Sequence, residues 1–134
     1  MAHDIRRKYK PLFNVDALFD DGSRMNICRD LLVYDKNDIM ALISKNNLKD
    51  VVCGAPTFIK PFNVIVSIFP TQSIKDFRKE LLQTFPHFNQ EVPWIPRIDV
   101  KNTESEEVKM ETLNELKKKV HTYFIKSISV YEVS

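Results

Sequence analysis

Between residues 61 and 133 the chain switches repeatedly between two hydrophobic periods, and this switching limits the available folds more than any other feature. Residues 62–69 carry Val64, Ile65, Val66 and Ile68, a run apolar on both faces that predicts a central strand stopped by Pro70. Thr71 then opens a predicted helix with Ile74, Phe77, Leu81, Leu82 and Phe85 at helical spacing, ended by Pro86. Residues 94–100 read as the next strand, with Pro96 marking an edge or a bulge near its start. A polar, acidic stretch at 102–109 reads as a loop or helix start, and Met110, Leu113, Leu116 and Val120 continue as a second amphipathic helix. Residues 123–133 form a last strand whose apolar members are Phe124, Ile128, Val130 and Val133.

The preceding half supplies the rest of a sheet. Residues 11–21 alternate Phe13, Val15 and Ala17 with Asn14 and Asp16, the period of a half-buried strand. Asp21-Gly22 is a hairpin signal, and residues 24–34 return as a second strand. Residues 35–46 predict a helix capped by Asp35 or Asn37, with Ile39, Met40 and Ile43 on one face. A short strand at 49–53 is followed by a break at Gly54-Ala55-Pro56 and a further strand piece at Phe58-Ile59. The expected fold is α+β: one two-layer domain over residues 11–134, with a mainly antiparallel sheet and two to three helices packed on one face. Residues 1–10 form a basic N-terminal arm.

Composition then removes function classes. The chain has 134 residues, enough for one core but not two. Only Gly22 and Gly54 are glycines, so neither a phosphate-cradling loop nor a dinucleotide fingerprint is present, because both need several glycines at fixed spacing. No apolar run approaches the roughly 18 residues of a membrane span, and residues 1–10 are polar rather than signal-like. Cys28 and Cys53 lie far apart in apolar surroundings and read as buried thiols, which points to a reducing compartment, cytoplasmic or nuclear.

No motif carries a complete catalytic set. No His/Cys cluster supports a metal site, and Asp16, Asp20 and Asp21 read as part of a strand and turn. No cofactor is implied. The weak catalytic candidates are His121 and His87, an imidazole being the side chain suited to proton transfer near neutral pH. Asp99-Val100-Lys101 is similar to the short D-x-K strand element of some nucleases. Two binding patterns compete. Phe85, Phe88, Trp94 and Ile95 concentrate around Pro86, Pro93 and Pro96, a composition suited to a protein partner. Basic residues beside aromatics occur at Arg6, Arg7 and Lys8 and again at Lys117, Lys118 and Lys119, the ingredients of single-stranded RNA or DNA binding.

The pieces FNVIVSIF, SIKDFRKELL, IPRIDV and SISVYEV, within residues 61–133, resemble the C-terminal lobe of the 2H, or LigT-like, phosphoesterases. That resemblance implies an RNA phosphodiesterase scaffold using two His-x-Thr motifs, one per lobe. Where the second motif would fall the chain has Arg97 and Asp99, and no first motif is found. Arg97 can bind phosphate but cannot exchange a proton near neutral pH. The expectation is a non-enzymatic module binding a protein partner, with RNA binding, Arg97 included, and a degenerate phosphodiesterase-like protein as the alternatives. Oligomeric state is not legible at this level.

Overall fold

The computed structural model describes residues 11–46, 48, 51–59, 63–88, 90, 93–117 and 122–133. The elements run β1 (Leu12–Phe19), β2 (Arg24–Leu32), α1 (Lys36–Lys45), β3 (Val51–Ile59), β4 (Asn63–Phe69), α2 (Gln72–Thr84), β5 (Arg97–Asn102), α3 (Glu106–Lys117) and β6 (Thr122–Glu132). The fold is α+β. Every strand pair is antiparallel, in the spatial order β2-β1-β6-β3-β4-β5. Strand β6 joins two three-stranded halves: its residues 125–132 pair with β1 and its residues 122–124 with β3.

The outermost strands of this order, β2 and β5, come into contact with each other, so the sheet is strongly curled. The segment between α2 and β5 bridges the same gap. Leu32 N donates to Pro86 O (2.8 Å) and Phe88 N to Asp30 O (3.2 Å), while Pro96 O accepts from Ile68 N (3.0 Å).

One continuous core explains the helix placement. Phe13, Val15, Ala17 and Phe19 of β1 are buried with Met25, Cys28 and Leu31 of β2, Val66 and Ile68 of β4, Ile39 of α1, and Ile74, Phe77 and Leu81 of α2. Each Val, Leu, Ile, Phe or Met among them contributes roughly 1.5–3 kcal/mol by leaving water. Phe58 lies opposite Val64, in phase with Val66 and Ile68, and the Lys109 ammonium of α3 sits 5.9 Å from its ring centroid. All three helices therefore cover the same face of the sheet.

Several expected boundaries shift, each for a physical reason. Strand β3 runs unbroken through Gly54-Ala55-Pro56. Its pairing with β6 covers Val51–Cys53, so among the described residues Pro56 has β4 as its one ladder neighbour, and a missing N–H is tolerated. Strand β5 starts at Arg97, leaving Trp94 and Ile95 in the connection. Helix α3 starts at Glu106, four residues before Met110, because Ser105 Oγ accepts from Val108 N (3.2 Å) and two glutamates complement the N-terminal dipole. Asp35 caps α1 by accepting from Asn37 N (2.9 Å), and Met40 points outward while Ile39 is buried. In β6 the inward set is Tyr123, Ile125 and Val130, and Phe124 is 50% exposed. A register shift between Leu18↔Ser127 and Phe19↔Ile125 turns the strand over, because a one-residue slip exchanges its faces.

Candidate functional site

A cleft of about 430 Å³ opens where β2 and β5 approach, on the face of the sheet turned away from the core. Its floor follows from the alternation in β1. With Val15 and Ala17 buried in the core, Asn14 and Asp16 must face the other way. The register sets Asp16 opposite Asn26 of β2 and beside Tyr131 of β6. Asp16 is only 3% exposed, since its neighbours cover it. Its carboxylate accepts from Asn26 Nδ2 (2.9 Å), the Tyr131 hydroxyl (3.0 Å) and Arg24 Nη1 (3.2 Å). These three donors satisfy a buried charge that would otherwise cost several kcal/mol. The Arg24 guanidinium also lies 5.8 Å from the Tyr131 ring centroid, which holds it over the cleft while its side chain stays half-exposed.

The opposite wall comes from β5 and the residues before it. Ile98 enters the core, so Arg97 and Asp99 face the cleft side, where their charged groups lie 3.5 Å apart. Arg97 Nη1 also donates to Ile95 O (3.2 Å). Trp94 is half-buried, packed against the core with the Arg78 guanidinium 4.7 Å from its ring centroid. Arg78 is held in turn by its Nε–H bond to Ile27 O (3.0 Å). Arg29 of β2 completes the lining.

The lining carries three guanidiniums, from Arg24, Arg29 and Arg97, against the carboxylates of Asp16 and Asp99. One carboxylate is sunk under its donors and the other, Asp99, stays exposed beside Arg97, so the open part of the cleft keeps a net positive charge and N–H donors beside the rings of Trp94 and Tyr131. Such a surface binds an anion next to a planar group. Among the described residues that line it there is neither an imidazole nor a thiol. Burial pushes the Cys28 thiol from 9.0 up to about 12, against a smaller opposing pull from Arg78, so it stays protonated and unreactive. Burial, and secondarily Asp21, raises the Tyr123 phenol as well. Among the described residues no three or more His, Cys, Asp or Glu side chains gather as a metal site. No helix among them is long and apolar enough to cross a membrane.

The residues singled out in the sequence are distributed unevenly around this cleft. Arg97, Trp94 and Ile95 line it. Phe85 packs against the core instead, and Phe88 is exposed. The four-residue apolar cluster is thus divided between core, cleft and surface. His87 is exposed and bridges to Leu31 of β2, apart from the cleft lining. Asp99 pairs with Arg97, while Val100 and Lys101 are exposed. Arg6, Arg7, Lys8, Lys118, Lys119 and His121 lie outside the described residues, as does the side chain of Lys117. Sequence reasoning missed Asn14, Asp16, Arg24, Asn26, Arg29 and Tyr131. The signal for the first four was present as polar residues alternating with core residues, which reads as an ordinary solvent face. Comparison of the chain with protein families, curated proteins and solved structures returned no match in any of the three.

Proposed function

We propose that this domain binds single-stranded nucleic acid, RNA in the first instance, in the cleft between β2 and β5, without cleaving it. The observation that carries this reading is the convergence of Arg24, Arg29 and Arg97 with Trp94 and Tyr131 in one cleft. A single strand offers the two features this lining suits: phosphates for the guanidiniums and unstacked bases for the rings. The excess of three guanidiniums over two carboxylates has the sign a phosphodiester requires. Binding is favoured over hydrolysis because Arg97 and Asp99 stand where the resemblance to 2H phosphoesterases would place His and Thr. A guanidinium holds a phosphate but cannot serve as acid and base.

Trp94 is the sole tryptophan and reports directly on the cleft. Titration with an oligouridylate should quench its emission, with an affinity that falls steeply as salt rises, about 0.7 in log–log slope for each phosphate engaged. Arg97→Gln should weaken binding about tenfold, the loss of one charge-assisted contact. No quenching at about 50 mM salt, or binding indifferent to salt, would overturn the proposal. The latter result would return attention to an apolar partner at Ile95 and Phe88.

A further inference from the structure

We infer that a β-bulge in β2, clamped by Asn14, is a positioning device that presents Arg29 to a phosphodiester, an inference that rests on the nucleic-acid reading above. Between the pairs Phe13↔Leu31 and Val15↔Cys28, β1 advances two residues and β2 three. Arg29 and Asp30 therefore share the place opposite Asn14. A bulge of this kind re-aims a side chain and sharpens the local twist. A second shift, between Val15↔Cys28 and Asp16↔Asn26, follows at once. The two together keep Leu31, Cys28 and Met25 on the core face although their spacing is odd.

The bulge is held against its own strain. Asp30 has φ +54°, the left-handed region where glycine costs nothing and other residues cost about 1 kcal/mol, aspartate being among the better tolerated. Three hydrogen bonds, one from β1 and two from the α2–β5 connection, fix this backbone. Asn14 Oδ1 accepts from Asp30 N (3.1 Å), Phe88 N donates to Asp30 O (3.2 Å), and the Gln90 side-chain amide donates to Arg29 O. Strained residues survive where their surroundings over-determine them, and they concentrate at ligand-binding positions. Here the over-determined residue adjoins a guanidinium that lines the cleft.

Asn14 also ties the bulge to the cleft floor. Its Nδ2 donates to the Tyr131 hydroxyl across a long 3.4 Å contact, and that hydroxyl donates to Asp16, which holds Arg24. One amide side chain thus touches both the backbone that aims Arg29 and the network that aims Arg24. A hydrophobic residue at position 14 would fit the strand equally well but could serve neither.

The test uses the full chain and a fluorescein-labelled oligouridylate of about ten nucleotides, within the usual span of single-strand sites. Dissociation constants are measured across a salt series for wild type and for Asn14→Ala, Arg29→Gln and the Asn14→Ala/Arg29→Gln pair. Arg29→Gln should weaken binding about tenfold and lower the log–log salt slope by about 0.7, one phosphate contact on a single strand. Asn14→Ala should lower the slope similarly with Arg29 intact, and the pair should lose little more than Arg29→Gln alone. A folding defect lowers the active fraction but leaves the slope unchanged, so it cannot imitate the expected result. If wild type binds and Arg29→Gln keeps the full slope, the positioning role fails while the cleft reading stands. If wild type shows no salt-dependent binding, both fail.

Discussion

Replacing Asp16 with alanine should destabilise the fold by about 3 kcal/mol, and the figure follows from its three donors. The Tyr131 hydroxyl donates to the carboxylate at 3.0 Å, a bond to a charged acceptor worth about 1.5–3 kcal/mol. Asn26 donates at 2.9 Å but also reaches Cys28 O at 3.1 Å, so it keeps one acceptor and loses about 1 kcal/mol. Arg24 is half-exposed and can turn to water, so its ion pair contributes at most about 1 kcal/mol. Against these losses stands the desolvation of the carboxylate, which the substitution relieves. Deletion nets about 3 kcal/mol, a fall in Tm of roughly 10 °C for a chain this long. Urea unfolding followed by far-UV circular dichroism measures it, with the denaturant slope expected to hold steady.

The same network predicts coupling. Tyr131→Phe alone should cost about 1–2 kcal/mol, and the Asp16→Ala/Tyr131→Phe pair should fall short of the sum by at least about 1 kcal/mol, because both single changes remove one bond. Asp16→Asn should cost about 2 kcal/mol, since its amide turns a donor toward groups that are themselves donors. Additive single effects, or an Asp16→Ala variant within about 0.5 kcal/mol of wild type, would refute the account of Asp16 as a satisfied buried anchor.

Three further outcomes follow. Cys28 has its folded pKa raised from 9.0 to about 12. The unfolded chain therefore releases this proton first, and stability should fall by about 1.4 kcal/mol per pH unit between those values. Unfolding free energies of wild type and Cys28→Ala measured from pH 8 upward would reveal the difference in slope. Gly22→Ala should cost about 1 kcal/mol, although nothing lies within 4 Å of the added carbon, because φ is +89° there; urea unfolding measures it. Phe77→Ala, which empties a fully buried site in α2, should cost about 3–5 kcal/mol, seen as a large drop in urea midpoint with the helix content of the survivor unchanged.

How far the fold was legible depended on whether one period governed each segment. Strand β4 was unmistakable: Val64, Ile65, Val66 and Ile68 are all buried, as a strand with neighbours on both sides requires. Helix α2 likewise kept one period, with Ile74, Phe77 and Leu81 inward. The alternation failed where the backbone broke phase. In β6 the apolar members read from the sequence divide: Ile128 and Val130 face the core, while the register shift near Ile125 moves Phe124 outward and brings Tyr123 and Ile125 in. In β2 the two shifts made Ile27 and Cys28 consecutive core residues, which no period of two produces. The start of α3 stays open between loop and helix in the sequence because its first turn is acidic and polar. The capping hydroxyl of Ser105, rather than a hydrophobic residue, marks where it begins.

The cleft was illegible for a deeper reason than phase. Each contributing residue has a local explanation that needs no ligand: Asn14, Asp16, Arg24 and Asn26 alternate with core residues, and Arg97 and Asp99 flank Ile98. They become a site because β2 and β5, at opposite ends of the strand order, meet. That closure brings together residues about seventy positions apart, and pairwise spacing along the chain carries no trace of it. Of the short sequence clusters that attracted attention, the one around Pro86 gives the cleft Trp94 and Ile95, with Arg97 beside them, while the basic arm, Lys118 and Lys119 lie outside the described residues. The residue that best forecasts the cleft is Asp16. A carboxylate placed on a strand's outer face normally meets water, and this one is 3% exposed. Burying it requires three donors to converge, and once Arg24, Asn26 and Tyr131 are drawn there the floor of a cationic, ring-lined cleft already exists. The buried acid therefore fixes Arg24 in the floor, and the β2 bulge and strand β5 add Arg29 and Arg97 around it.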